Sequence, residues 1–257
     1  MSAVTSSIGE RDYRLLAVLI CALSGLAWLA LWRFGESPYV HYLHHAYLVP
    51  ALPGAEARLA GLIFIGGWML MTVAMMLPTS VPLLGIYYRI AATRRDRPLL
   101  VALVVAGYLL VWGGFGLLAY AGAVGFRETT AHSVWLRANL WVLGAGTLLV
   151  AGAYQFSSFK YRCLDKCRSP FSFVIAHWTG ERHWRQALWL GVHHGLFCVG
   201  CCWSLMLLMF PFGAGNIGWM LVLGLLMAIE KNVSWGRRFG KPLGVVLLTL
   251  GLVVILV

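Results

Sequence analysis

The sequence predicts an all-α protein, a polytopic bundle of about seven transmembrane helices. Of its 257 residues, 60% are hydrophobic and only 11% are charged, and the mean hydropathy is +0.79. Soluble domains average about 45–50% apolar and roughly 25% charged residues. The apolar residues also fall in blocks close to the ~20 residues that cross a hydrocarbon core of ~30 Å. Composition and block length therefore both predict a membrane protein.

Seven apolar blocks account for most of the chain. The short sixth block ends in Glu230 and Lys231. Pro78 and Pro82 interrupt the second block, which a membrane helix tolerates where neighbours satisfy the freed carbonyls. Because blocks and short loops use up the chain, we expect one integral membrane domain over residues 1–257. The blocks are residues 15–32, 59–84, 99–123, 138–156, 187–212, 218–232 and 243–257.

The basic residues indicate the orientation of the helices. With the N-terminus inside, sixteen of the 20 lysines and arginines lie in inner segments, as the positive-inside rule predicts. Seven spans then place the C-terminus outside. The inner residues are Arg11, Arg14, Arg89, Arg94, Arg95, Arg97, Lys160, Arg162, Lys166, Arg168, Arg182, Arg185, Lys231, Arg237, Arg238 and Lys241, and the outer ones are Arg33, Arg58, Arg127 and Arg137.

The net charge of +11 raises the question of a nucleic-acid partner. The positive charge, however, lies in short loops that face anionic lipid. We therefore expect membrane lipid as a partner and no nucleic acid. The first apolar block could instead be a secretory signal, but it is longer than a typical signal core and no small-residue cleavage site follows it.

A stripe of imidazole and thiol groups in the fifth block is the strongest chemical signal. Its successive members are separated by four, three and one residues, and spacings of three and four place residues on one helix face. Soft sulfur ligands select Cu(I), with imidazole as a compatible partner. Buried cysteine also acts as a small hydrophobe, but a histidine within a span favours a function. The stripe consists of His194, Cys198, Cys201 and Cys202, and Met206 continues it.

Cys163 and Cys167 form a C-x3-C pair between the fourth and fifth blocks. On a helix both thiols would share one face, and the basic residues around them favour the thiolate forms that bind metal. The orientation places the pair at the cytoplasmic surface, where a structural disulfide is not expected. The pair is a second candidate set of metal ligands. Whether it forms one site with the stripe or a separate one stays open.

Two methionines of the second block, Met75 and Met76, are weaker candidate ligands. A row of methionines is more often core packing than a metal site. If the block is one span, however, both thioethers lie near mid-membrane. The methionine row and the thiol stripe could then meet at one depth.

Glu230 has two possible roles. It could form an ion pair with the adjacent Lys231 at the membrane interface. Alternatively, its carboxylate could hold His194 by a hydrogen bond, as carboxylates commonly do for metal-binding histidines. In the first outer loop, a cluster of His41, His44 and His45 could receive or release metal.

Motifs of enzymatic hydrolysis are missing from the sequence. It contains no Walker-type phosphate loop, no G-x-S-x-G elbow and no H-E-x-x-H pair. Its nine acidic residues supply little for paired-carboxylate chemistry or a proton relay. A binding protein is therefore expected rather than an enzyme.

Three stretches of the sequence also carry a family resemblance. They are residues 68–82, 154–170 and 191–209, followed by Glu230 and Lys231. The joint occurrence of Tyr-Gln before C-x3-C-R-x-P and of the later C-x-G-C-C-W is the specific part. These motifs resemble a bacterial family of predicted metal-binding integral membrane proteins, over a core of about residues 60–232.

The resemblance implies copper handling in a bacterial inner membrane. Some members of the family resemble an accessory membrane protein, encoded beside a polyphenol oxidase, that acts as its copper chaperone. Carried over by motif, the implied metal-binding residues are Cys163, Cys167, His194, Cys198, Cys201 and Cys202.

The leading hypothesis is a membrane protein that binds Cu(I) and delivers it to a copper-dependent oxidase or another membrane complex. Two alternatives stay open. One is an accessory or assembly subunit of a larger membrane oxidase complex. The other is a redox protein that exchanges thiols and disulfides together with a quinone.

Overall fold

The computed structural model describes residues 2–36, 55–92, 94–177, 183–212 and 216–256, and no β-strand occurs among them. The all-α prediction is therefore confirmed for this part of the chain. One short 3-10 helix, Pro78–Ser80, lies between the second and third α-helices. The α-helices are α1 Ser2–Gly35, α2 Ala55–Met75, α3 Val81–Ile90, α4 Arg97–His132, α5 Val134–Ala138, α6 Trp141–Tyr154, α7 Ser158–Arg168, α8 Pro170–His177, α9 His183–Leu207, α10 Met209–Phe212, α11 Ile217–Asn232 and α12 Gly236–Leu256.

Five helical stretches of the described chain are long and apolar enough to cross a membrane. A sixth results if α6 and α7, which are bent by 67° at their junction, form one broken span. Helix α11, which holds the sixth predicted block, has only 16 residues, fewer than the ~20 that cross a bilayer. These helices fit a polytopic membrane protein, while seven spans and an outer C-terminus stay predictions. The five stretches are Tyr13–Gly35, Arg58–Met75, Arg97–His132, His183–Pro211 and Gly236–Leu256.

The second predicted block is broken at its prolines. The amides of Met76 and Leu77 both donate to the Thr72 carbonyl, where α2 ends. Pro78 has no amide hydrogen with which to continue the helical ladder, and the chain passes through the 3-10 helix into α3. The break leaves Met76 and Ser80 buried in the interior of the bundle.

Helices α4 and α9 pack with their backbones in close approach. A Cβ atom at Gly191 would lie only 2.0 Å from the Val104 carbonyl oxygen, and one at Gly107 would lie 2.3 Å from that of Leu188. Small residues permit such close packing between membrane helices. The approach brings Tyr108 of α4 against the thiol-bearing face of α9.

Helix α7 carries the C-x3-C pair and packs on α9. The Ser157 side chain accepts a hydrogen bond from the Phe159 amide and caps the first turn. Since the segment is helical, Cys163 and Cys167 lie one turn apart, as the helical reading predicted. A Cβ atom at Gly200 would lie 2.6 Å from the Cys163 sulfur, so a glycine there is what allows α7 to lie against α9.

Candidate metal site

A sulfur cluster lies where α9, α11 and the break after α2 meet. It consists of Met76, Cys198 and Cys202, which are 0%, 1% and 1% exposed. The Cys202 sulfur lies 3.9 Å from the Met76 thioether sulfur. Cys198 is one helical turn before Cys202 on the same face of α9. The methionine row and the thiol stripe, which the sequence left free to meet at one depth, are in contact at Met76.

Lys231 of α11 extends into the sulfur cluster. It is only 7% exposed, which is unusual for a charged residue. Its ammonium nitrogen lies 2.9 Å from the Cys198 sulfur and 3.6 Å from the Met76 sulfur. The Tyr108 hydroxyl is 3.1 Å from the same Cys198 sulfur. Cys198 therefore accepts a hydrogen bond from a buried cation and contacts a phenol.

The thiols of Cys201 and Cys202 donate to the backbone of their own helix. Their sulfurs lie 3.1 Å and 2.9 Å from the Cys198 carbonyl oxygen. Among the described residues, no group of three or more cysteine, histidine or carboxylate side chains is arranged to hold a metal ion. Uptake of an ion by the sulfur cluster would require the Cys202 thiol to turn away from that carbonyl.

The C-x3-C pair lies directly beside the thiol stripe. Cys167 is within hydrogen-bonding reach of Cys201, and Cys163 lies against Gly200. Whether the pair lies at the cytoplasmic side of the membrane stays a prediction, but Cys163 is covered by protein and only 4% exposed. The reason is that α7 folds back at the 67° bend and lies on α9. The two cysteine motifs are therefore one contiguous group of thiols.

His194 is buried next to the sulfur cluster. Its Nε2 atom lies 3.2 Å from the Ser80 hydroxyl, and which of the two donates depends on the histidine tautomer. Its ring stacks on Tyr108 with the ring centroids 5.6 Å apart. Since Tyr108 also contacts Cys198, the histidine adjoins the cluster through that tyrosine.

Glu230 takes neither of its two predicted roles. Its carboxylate pairs with the Lys160 ammonium of α7 at 2.6 Å, and the two side chains are 2% and 0% exposed. Lys160 also donates to the Gln155 side-chain oxygen. Adjacent residues on an α-helix point about 100° apart. Glu230 therefore faces α7, whereas Lys231 faces the thiols of α9.

The remaining predicted contributors lie elsewhere. The Met75 methyl packs at Gly224 of α11, where a Cβ atom would lie 3.3 Å from it. Met206 is fully buried in α9. Neither takes part in the sulfur contacts that the described residues make. His41, His44 and His45 lie outside the described residues.

Sequence reasoning missed two polar groups that the structure places at the cluster, Lys231 and Tyr108. The basic-residue pattern assigns Lys231 to an inner loop. Its position at the end of the sixth apolar block is the signal that could have indicated a buried charge, because ionisable residues within membrane segments usually face the interior of the bundle. Tyr108 gave no signal, because it is one aromatic residue within a long apolar segment. Its role depends on the contact between α4 and α9.

Arg168 holds the end of α11 in place. Its guanidinium donates to the carbonyl of Glu230 at 2.6 Å and to that of Ser234 at 2.9 Å. The last carbonyls of a helix lack partners within the helix, and a basic side chain can satisfy them. Arg168 and the Lys160 pair together fix the helix end that carries Lys231.

The comparison with known families agrees with the motifs. The model of the PpoB2 family, described as a copper chaperone, matches residues 65–254. The match runs from the middle of α2 almost to the end of α12, so it includes the final helix, which lies outside the resembling motifs. No curated protein and no solved structure shows detectable similarity to the chain. Since the match covers well over half of the residues, the chain belongs to the PpoB2 copper chaperone family.

Proposed function

We propose that this chain binds Cu(I) at the sulfur cluster within the membrane and hands it to a copper-dependent enzyme. The approach of Met76 to Cys202, at 3.9 Å, carries the proposal. The two sulfurs come from different helices, and Cys198 adds a third sulfur to the same buried position. Membership in a copper chaperone family supports copper as the metal.

The separation of the two sulfurs suits a bound ion. Metal–sulfur bonds are about 2.3 Å long at zinc. Two sulfurs at that distance from one ion, with 120° between the bonds, are about 4.0 Å apart. The observed 3.9 Å is close to this value. Thiolate and thioether ligands also suit Cu(I), although thiolates bind Zn²⁺ as well.

The contiguous thiols suggest a path for the ion. Cys201 lies between the two cluster cysteines on α9, and Cys167 of α7 is within hydrogen-bonding reach of it. An ion with few ligands can move along such a row by exchanging one sulfur for the next. We propose that Cys167 and Cys163 pass copper between the sulfur cluster and the partner, with His194 as an additional ligand.

Copper content tests the binding step. The protein is purified in mild detergent, loaded with Cu(I) and freed of excess metal, and copper per chain is then measured. We expect bound copper in the wild type and its loss in a Cys198→Ser, Cys202→Ser double variant. Cys21→Ser is the matched control, because Cys21 is exposed on α1. Equally negligible copper contents in all three proteins would refute the proposal.

Delivery is tested with a copper-free polyphenol oxidase as acceptor. Copper-loaded protein should restore oxidase activity faster than an equal amount of copper held by a small chelator. A Cys167→Ser variant should still load copper at the sulfur cluster but transfer it more slowly. If transfer from the variant is as fast as from wild type, Cys167 is not on the path.

A second candidate function is thiol–disulfide exchange, which the contact between Cys167 and Cys201 favours. In that reaction the two thiols would lose two electrons and two protons to a membrane quinone, giving a disulfide and a quinol. Differential alkylation before and after adding a quinone tests this function. A Cys167–Cys201 disulfide that forms with the quinone, in a protein that holds no copper, would favour redox exchange over copper binding.

A further inference from the structure

We infer that Lys231 makes the sulfur cluster selective for a monovalent metal ion over a divalent one. The inference rests on the proposed copper site and adds to it a residue that determines which ion is taken. Sulfur ligands alone do not make this choice, since thiolates also bind Zn²⁺ strongly. A site that is selective for one of the two ions therefore needs another feature that distinguishes them.

The ammonium group of Lys231 is placed to make that distinction. It lies 2.9 Å from the Cys198 sulfur and 3.6 Å from the Met76 sulfur, so it stands among the atoms that would hold the ion. The end of α11 is fixed on the other side by the Glu230–Lys160 pair and by Arg168. The helix therefore presents Lys231 to the cluster from an anchored position.

No carboxylate neutralises Lys231 within the described residues. The neighbouring Glu230 is bound to Lys160. The other carboxylates in ion pairs are at Asp96, Glu128 and Asp165, each with an arginine partner. Among the described residues, the groups that can supply a counter-charge to Lys231 are those of the cluster itself, and its hydrogen bond to the Cys198 sulfur agrees with this.

The sum of charges then depends on the ion. Cysteine binds a metal as thiolate, so Cys198 and Cys202 contribute two negative charges and Lys231 one positive charge. A monovalent ion makes this buried group neutral, whereas a divalent ion leaves one net positive charge. A net charge in an apolar interior is costly. Without Lys231 the balance reverses, because two thiolates and Zn²⁺ are neutral.

The experiment measures the affinities for Ag⁺, a monovalent ion that does not change oxidation state under these conditions, and for Zn²⁺. Each is titrated against a competing chelator in detergent. Lys231→Leu removes the charge, and Lys231→Arg keeps it. We expect the ratio of Zn²⁺ to Ag⁺ affinity to rise at least about tenfold in Lys231→Leu and to stay near wild type in Lys231→Arg. An unchanged ratio in folded Lys231→Leu protein would overturn the inference.

Two further variants test whether a changed affinity ratio is specific to the charge at position 231. Lys231→Gln replaces the leucine variant if that variant does not fold, and the same tenfold rise is expected. Lys241→Leu removes an exposed lysine of α12. A rise there as large as at position 231 would overturn the inference, because a distant charge would then suffice. Wild-type protein that binds neither ion would refute the proposed copper site itself, whereas binding with an unaltered ratio would refute only the role of Lys231.

Discussion

The ammonium nitrogen of Lys231 and the sulfur of Cys198 are 2.9 Å apart in the interior of the bundle. This contact joins α11 to α9 at the sulfur cluster. A charged side chain at such a position is costly unless it has a partner. Here the partner is the sulfur atom of a cysteine that the sequence predicts as a metal ligand, so the contact bears on folding and, under the proposed function, on metal binding.

Met76→Leu should weaken copper binding, because it removes the thioether that lies 3.9 Å from Cys202. Leucine and methionine have similar volumes, so the fold should survive the exchange. We expect affinity for Cu(I) to fall at least about tenfold, or about 1.4 kcal/mol. Competition with a Cu(I) chelator measures it. Met75→Leu is the matched control, since Met75 packs at Gly224; an equal loss there would contradict the assignment of Met76.

Glu230→Gln should destabilise the protein strongly. The substitution leaves the fully buried Lys160 ammonium without its ion-pair partner. Breaking a buried pair by removing one member costs about 3–5 kcal/mol in free energy of unfolding. Unfolding in detergent, followed by circular dichroism, measures the loss.

The exposed pair of Arg127 and Glu128 provides the comparison for that measurement. Glu128→Gln should cost at most about 1 kcal/mol, as for other surface pairs. A double variant, Lys160→Met with Glu230→Leu, should recover much of the stability lost in Glu230→Gln, because it leaves no unpaired charge. Similar stabilities for Glu230→Gln and Glu128→Gln would show that the buried pair is not formed.

A mild oxidant should link Cys167 to Cys201. The two thiols are within hydrogen-bonding reach across the contact of α7 with α9. After treatment with diamide, mass spectrometry of unreduced peptides should show this disulfide in the metal-free protein. Prior loading with Cu(I) should suppress it if copper occupies these sulfurs. Crosslinks that instead join Cys167 to the exposed Cys21 would contradict the packing of α7 on α9.

Gly200→Ala should separate α7 from α9. The added Cβ atom would lie 2.6 Å from the Cys163 sulfur, closer than two such atoms can approach. Overpacking of this kind costs about 1–3 kcal/mol, visible as a lower unfolding temperature and as slower formation of the Cys167–Cys201 disulfide. Gly114→Ala is the control, because a Cβ atom there meets nothing within 4 Å. Equal stability of the two variants would contradict the close approach.

The local pattern of residues was enough to predict an all-α chain with membrane-length helices and to find the cysteine motifs. Apolar block length predicts membrane helices because every backbone polar group must be satisfied within the hydrocarbon core. The spacing of Cys198 and Cys202 likewise predicts a shared face, since helical periodicity depends only on neighbouring residues. The broken second block shows the limit of length alone, because Pro78 divides it into two helices.

Which side chains meet across helices was decided only by packing. The local sequence does not determine whether Glu230 or Lys231 faces the thiols. The two side chains point about 100° apart on one helix, so the rotation of that helix in the bundle decides it. The glycine contacts of α4 with α9 and the 67° bend before α7 settle which faces meet. They place Lys231 and Tyr108 at Cys198, and Cys167 at Cys201. Periodicity was thus enough to predict the stripe of candidate ligands, while the charge beside it depends on contacts between residues far apart in the chain.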